Sequence, residues 1–570
     1  MGGRRFVIEL VKPSHYDDDG YVIQWLKSWI PSNSLACVYG IAQDVAQRKL
    51  LGPDVEVEIN AYDECHTVIP IKRITRRIKE ADAGIVCLIG VQSNQFPRAA
   101  DIARQFRAAG VPVAIGGFHV SGCMSMLDEL PPDIAAVRDM GVVLFAGEAE
   151  GRLGEFLSDA LAGTMKPIYN FMNDLPGLQE QVTPFLPIEI VKKYNETFGA
   201  FDAGRGCPFQ CSFCTIINVQ GRKSRWRDAD DVERVVRANL AQGVYRFFIT
   251  DDNFARNRNW EAIFDRLIEM REQEGLTLHF LIQVDTLCHR IPNFIEKAAR
   301  AGCSRAYIGL ENINPDNLLA VKKKQNRVHE YRELFLEWRK HKVITYAGYI
   351  LGFPNDTPER IARDIRTVQE ELPVDVLEFF ILTPLPGSED HQKLHKKGIW
   401  MDPDMNKYDL EHVTAHHPVM SDAQWQTLYR DAFDMYYSTE HIERMFRRAK
   451  ASGIKPVRLV NHVLQFYFIF KQEKVHPLQG GLFRRKVRSQ RRSGLPRENP
   501  LIFFPRRVWE VIDTHVKLVS FYLYLHRIRK KVERDNRPYT DRSLTVPDLD
   551  NGEEESAFSP PVKKPAPVAA

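Results

Sequence analysis

Short apolar runs separated by longer segments of mixed polarity recur along the first two-thirds of the chain. Up to about residue 160 the runs are RFVIELV (5–11), VEVEINAY (55–62), AGIVCLIGV (83–91), VPVAIGG (111–117) and VVLFAGE (142–148). Runs this short and this apolar predict parallel strands buried on both faces. The amphipathic stretches 33–51 and 97–110 predict helices between them. This alternation predicts a doubly wound, Rossmann-like α/β sheet, in which ligands lie beyond the carboxyl ends of the strands. Those ends carry Ser14, His15, Gln92, Ser93, Gly116, Gly117, His119, Gly147 and Glu148. Glycine there admits a close ligand or simply makes a tight turn, and the pattern alone leaves both readings open.

Residues 161–200 hold several prolines and little period, and read as a linker. From 201 to 420 the alternation resumes, with strand-like runs at 246–254, 278–286, 305–313, 344–353 and 376–387 and helical stretches at 231–243 and 260–275. With one more strand ending before Cys207, this makes six βα units, a partial (β/α)6 or full α/β barrel whose chemistry sits on the loops after the strands. Residues 421–535 lose the strand pattern and read as a helical, aromatic and increasingly basic domain. The end of the chain, 536–570, closes on a polar, proline-rich stretch and reads as a disordered tail.

Composition changes this picture little. The chain has 570 residues, 44% of them hydrophobic, and a formal net charge of +4, so it is no polyanion binder as a whole. Nine cysteines, an odd number scattered except for one triplet, argue against a disulfide framework and for a reducing compartment. No signal peptide and no apolar run of spanning length is read, so the expectation is a cytoplasmic protein.

The triplet is GRGCPFQCSFC at 204–214, with Cys207, Cys211 and Cys214 spaced C-x3-C-x2-C. Three thiolates can hold three irons of a 4Fe–4S cube and leave the fourth open; a fragment of a zinc site is the other reading. This spacing, with Phe213 before the last cysteine, resembles the radical S-adenosylmethionine (SAM) superfamily. Further stretches resemble it in the same order: TDDNF (250–254), GLEN (309–312) and GYILGFPNDT (348–357). The resemblance implies that the open iron chelates SAM, which is cleaved to a 5′-deoxyadenosyl radical. It further implies that Glu311 binds the SAM ribose and Ile350 backs the adenine. Phe213 and the segment Asp251, Asp252 and Asn253 complete the SAM site, with Asp251 or Asp252 accepting from its ammonium group. Thr357 caps the following helix. Asn312 stands where many members have serine.

The first domain resembles the cobalamin-binding domain that precedes the barrel in one large radical SAM class. The stretches 90–121 and 147–157 carry that likeness. It implies that the strand-end residues named above bound a corrin and its nucleotide tail. The D-x-H-x-x-G motif that supplies a cobalt ligand in classical corrinoid methyltransferases is missing. His15 and His119 are therefore expected to be polar loop contacts.

The resemblance as a whole implies methyl transfer to an unactivated carbon of a small-molecule or lipid-like substrate. An electron donor such as flavodoxin or ferredoxin is implied too. A cobalamin-dependent radical cyclase or rearrangement enzyme uses the same cofactors. A non-catalytic metal-binding or scaffold protein is the reading from a different class. No recognised nucleic-acid-binding module is present. The basic run RRKVRSQRR (484–492) and the aromatic–basic stretch 516–534 read either as a helical cap with a solvated loop or as a contact with an anionic membrane surface.

Overall fold

The computed structural model describes residues 3–545 and Phe558. Its first half is built on a six-stranded parallel sheet. In chain order the strands are β1 (Arg4–Lys12), β2 (Gln24–Ser28), β3 (Val55–Asp63), β4 (Ala83–Leu88), β5 (Val113–Gly116), β6 (Val143–Ala146) and β7 (Ile168–Asn170). All but β2 join the sheet, in the order β3-β1-β4-β5-β6-β7. Phe6 to Val11 are all buried, as a strand covered on both faces requires. The helices Asn33–Gln47 and Phe96–Ala108 fall where the amphipathic stretches predicted them, the first capped by Ser32, whose side chain accepts from Leu35 N–H. Strand β7 lies inside the stretch read as a linker. It is only three residues long, and its pairing with β6 rather than any local pattern makes it a strand.

The second half holds β8 (Phe198–Phe201), the short antiparallel pair β9 (Gly204–Arg205) and β10 (Arg225–Trp226), then β11 (Arg246–Ile249), β12 (His279–Val284), β13 (Cys303–Glu311), β14 (Ile344–Leu351) and β15 (Val376–Ile381). Six of these form a parallel sheet in the order β15-β14-β13-β12-β11-β8, which leaves β8 and β15 as unpaired edges. The sheet is therefore the partial (β/α)6 barrel. Thr357 starts the helix Pro358–Glu371, its hydroxyl accepting from Arg360 N–H.

The C-terminal region is mostly helical: Asp422–Tyr436, Thr439–Ala451, Val457–Val463 and the long Pro500–Arg534. One strand, β16 (Gly481–Arg485), was not expected there. It pairs antiparallel with β2 and ties the two ends of the chain together. The basic run is not a solvated loop. Arg484 is buried against Asp17, Lys486 pairs with Asp19, and Arg492 pairs with Asp404. Of the expected tail, Asp541 is paired to the buried Arg448, and Ser543 and Phe558 are buried, Phe558 near Tyr331, while most of the other residues between 536 and 545 are exposed. The remainder of that tail lies outside the described residues.

Candidate active site at the mouth of the barrel

The cysteine loop leaves the barrel immediately after β9 and is held from below by Asp251. Asp251 Oδ1 accepts from the backbone N–H groups of Ala203 (2.7 Å) and Gly204 (2.8 Å), and Oδ2 accepts from Asn257 (2.9 Å). A Cβ on Gly204 would come within 2.9 Å of that Oδ2, so glycine is required there. Burial pushes the Asp251 carboxyl up to about 7 despite these donors. With both oxygens committed, Asp251 is a clamp on the loop, while Asp252 is exposed beside the thiols and its charge reaches both Cys207 and Cys214. Asn253 is buried and exchanges hydrogen bonds with Asp285. Asp285 in turn binds Arg256 through both oxygens, at 2.7 and 2.8 Å, and the Arg256 guanidinium lies over the Phe209 ring of the cysteine loop.

Cys211 is buried, and Cys207 and Cys214 are partly exposed. Burial pushes the Cys214 thiol up to about 12, with the neighbouring Cys211 adding to the effect. Among the described residues, no three His, Cys, Asp or Glu side chains close on the position of a single metal ion. The three thiols are close enough to feel one another's charge, a spread that a multi-iron cluster can span. The donor set thus fits a cubane held by three thiolates.

Glu311 ends β13 in the left-handed region, φ +61°, just past a register shift in the β13–β14 pairing. A non-glycine residue there is held by its surroundings, as at many ligand sites. Its carboxylate accepts from Lys323 Nζ at 2.5 Å, and the lysine lies over the Phe213 ring. Burial works against the Lys323 charge, but Glu311 and the thiols of Cys211 and Cys214 raise its pKa above the ordinary lysine value. Gln325 Nε2 donates to Cys211 Sγ at 3.4 Å. Sequence reasoning missed Lys323 and Gln325, because the run VKKKQN reads as a solvated turn. Beside them Ile350, Phe353, Phe380 and Val321 form an apolar cluster against which Phe213 packs, a flat wall suited to an aromatic base. Asn312 is fully buried; Oδ1 accepts from Asn314 N–H, and Nδ2 has no partner among the described residues.

The first domain presents its strand ends to this loop. The helix Phe118–Met126 packs so closely that a Cβ on Gly122 would meet Gly387 Cα at 2.9 Å. Arg205, the last residue of β9, pairs with Asp202, Glu148 and Glu150 at 3.0, 2.8 and 2.6 Å, and Arg225 also binds Glu148. Above this ionic seam lies a cavity of about 180 Å³, lined by Cys37, Val38, Ser121, Phe145, Ala149 and Gln220 among others. It holds less than a corrin but can take one aromatic base.

Gly116, Gly117, Gly147 and Glu148 border that cavity; Ser14, His15, Gln92, Ser93 and His119 do not. Ser14 donates to Ile23 O, and burial lowers His15 to about 4. Gln92 is half of a capping box with Gln95. His119 is buried between Ser93 (3.1 Å) and Asp133 (3.0 Å). Gly117 is required by the backbone as well. Its φ is +147°, and a Cβ there would meet Val91 N at 2.1 Å, so the backbone crossing alone requires glycine there.

Residues 203–368 match the Radical SAM superfamily model. The chain carries a radical SAM domain. It is 29% identical over 316 residues to the bacteriochlorophyllide d C-12(1)-methyltransferase of Chlorobaculum tepidum, covering 54% of this chain and 64% of that protein, so it spans less than two thirds of that relative. The hopanoid C-2 methylase of Rhodopseudomonas palustris is 23% identical over 381 residues, 66% of this chain and 69% of that protein. In fold, the radical SAM domain and its flanking domains resemble two solved structures. The cobalamin-dependent SAM radical enzyme OxsB, with aqua-cobalamin bound, aligns with a TM-score of 0.52 at 13% identity, over 94% of this chain and 82% of that one. The methyltransferase TsrM from Kitasatospora setae, with cobalamin and a [4Fe-4S] cluster bound, aligns with a TM-score of 0.51 at 16% identity, over 69% and 78%.

Proposed function

We propose that the protein is a cytoplasmic, cobalamin-dependent radical SAM methyltransferase that acts on an unactivated carbon of a small or lipid-like substrate. The observation that carries this is that the thiols of Cys211 and Cys214 lie beside the Glu311–Lys323 pair, on a loop whose Arg205 lines the first domain's strand-end cavity. Relatives named as methyltransferases and methylases support it. Cys207, Cys211 and Cys214 would hold a 4Fe–4S cluster; Glu311 would bind the SAM ribose, Asp252 its ammonium, and Phe213 with Ile350 its adenine. The first domain, extended through β7, would seat the nucleotide tail of cobalamin in the 180 Å³ cavity. When bound, these groups supply a reducing electron, a radical precursor and a methyl donor. The protein's part is to hold the thiolates, orient SAM through Glu311 and Asp252, and shut the seam with Arg205. A flavodoxin- or ferredoxin-like donor would deliver the electron.

The membrane reading is carried by one face of the helix Pro500–Arg534. Eleven large apolar side chains between 501 and 523 are exposed there, Leu501 and Trp509 most of all, at 83% and 68%. No helix among the described residues is long and apolar enough to cross a membrane. A bilayer-surface contact is the state that would cover such a patch. The test of the activity is anaerobic purification with iron, sulfide and corrinoid analysis, followed by product analysis with SAM. Iron, corrinoid and S-adenosylhomocysteine together support the proposal. Deoxyadenosine and methionine alone would point to a cyclase or rearrangement enzyme. A colourless zinc protein would overturn the reading.

A further inference from the structure

The open edge of the barrel encloses a second, much larger space on the side away from the cysteine loop. It measures about 1360 Å³ and has two unlike parts. One lies under the barrel, where the strands begin, and is bordered by Arg305, Tyr307, Tyr346, Glu378 and Arg458. The other runs outward between the β2–β16 pair and the long helix, past Phe466, Leu482, Leu518 and Val519. Tyr307 closes the top of the first part, since a Cβ on Gly348 would meet its hydroxyl at 2.5 Å and Phe380 at 3.1 Å. None of the residues that line the space belongs to the cysteine loop or to the Glu311–Lys323 pair.

Two features of the inner part point to a ligand. Glu378 is fully buried, and neither carboxyl oxygen has a hydrogen-bond partner. Burial raises its pKa well above the ordinary carboxyl value, which favours the protonated form that can donate. Among the described residues, no carboxylate comes within ion-pair distance of Arg305 or Arg458. Arg305 lies over the Phe198 ring, and Arg458, which is exposed at the mouth of the space, reaches the backbone oxygens of Lys342 and Ser304 at 3.4 Å. Two guanidinium groups and an acid donor around one space suit an anionic head group. The outer part carries an apolar strip, Leu482, Val511, Leu518 and Val519, beside Glu473, Arg484, Arg507 and His515, and opens toward the helix that carries the exposed apolar face.

We propose that this chamber binds a single-chain anionic amphiphile, its head group against Arg305, Arg458 and Glu378 and its hydrocarbon chain along Leu482, Leu518 and Val519. The site is additional to the proposed methyl-transfer centre and does not depend on it. The cluster-loaded full-length protein is titrated by calorimetry with monomeric oleate, with oleyl alcohol and octanoate as the head-group and chain-length probes. Vesicles of phosphatidylglycerol are run in parallel. Saturable binding of about one oleate per chain is expected, with oleyl alcohol and octanoate each at least tenfold weaker. Leu518→Trp fills the outer part and should abolish binding; Arg305→Met should weaken it at least tenfold. Glu378→Leu should also weaken it, while Glu378→Gln, which keeps a donor, should retain it. Iron, corrinoid and melting temperature are measured on every sample to show that each variant is folded. Equal binding of oleate and oleyl alcohol, undiminished binding by folded Leu518→Trp, or binding seen only on vesicles would overturn the proposal.

Discussion

Two adjacent carboxylates after β11 have different surroundings, and single substitutions test the separate roles proposed for them. Asp251→Ala removes the acceptor for two backbone donors and for Asn257 under the cysteine loop. Buried donors left without partners cost about 1–3 kcal/mol each, so iron content should fall after anaerobic reconstitution. Asp252→Asn touches no such clamp; iron should hold while SAM affinity falls. Equal iron loss in both variants would undo the distinction. Glu311→Gln exchanges a charge-assisted bond for a neutral one, worth roughly 1–2 kcal/mol of SAM affinity. It also strands Lys323, which is paired to Glu311 at 2.5 Å and buried. Lys323→Met combined with Glu311→Gln should therefore cost less than the two single losses added together. Additive losses in calorimetric SAM titrations would show that the lysine takes no part. The positions of the cysteine loop after β9 and of Glu311 at the end of β13 were legible, because the strands before them are local apolar patterns. Lys323 and Gln325 were not, because a run of polar residues announces exposure and only the fold turns it inward.

At the scale of elements, the charged part of the seam between the two α/β units centres on Arg205, which pairs with three carboxylates, and Arg225 shares one of them. Arg205→Met leaves Glu148, Glu150 and Asp202 facing one another with one counter-charge fewer, at a cost of about 3–5 kcal/mol. A melting temperature unchanged by this substitution would mean that the seam contributes nothing. The cavity above the seam is better tested through its helix wall than through a glycine. Val38→Trp projects from the helix Asn33–Gln47 into that space and should reduce bound corrinoid while iron holds. Gly117→Val cannot make that separation, because its Cβ would strike the Val91 backbone. With His119 tied to Ser93 and Asp133, the Co(II) form should show no nitrogen splitting from a protein imidazole in paramagnetic resonance. A triplet splitting traced to a histidine would contradict this. Strands such as β1, β14 and β15 could be read from the sequence because burial on both faces makes them apolar nearly throughout, and β3, an edge strand, through its alternation of apolar and polar residues. Strands β2, β7 and β16 could not. Each is three to five residues long and exists only because a distant strand offers its edge.

On the scale of the whole molecule, the chain is drawn together by charges that the sequence keeps far apart. The run at 484–492 looked like a free basic surface, and no pattern in it reveals that Asp17, Asp19 and Asp404 await it. His412 makes a similar tie between the N-terminal loop and the segment after the last barrel strand. Its Nε2 faces Asp18 Oδ1 at 3.1 Å and its Nδ1 faces Asp409 Oδ2 at 2.9 Å. Burial alone would lower its pKa, but the two carboxylates outweigh that and raise it from 6.5 to about 10. Asp18 is lowered from its ordinary 3.8 by the same contact. A histidine whose pKa is raised on folding gives its full stability below the unfolded value of 6.5, and loses it as pH climbs toward 10. The depressed Asp18 contributes above its unfolded value and loses that on acidification. The tie is therefore complete between about pH 4 and 6.5 and fades on the alkaline side. His412→Gln should lower the melting temperature clearly at pH 6 and much less at pH 9. An equal drop at both values would mean that the imidazole is not charged in the folded protein, and that the two ends of the chain are joined here by packing alone.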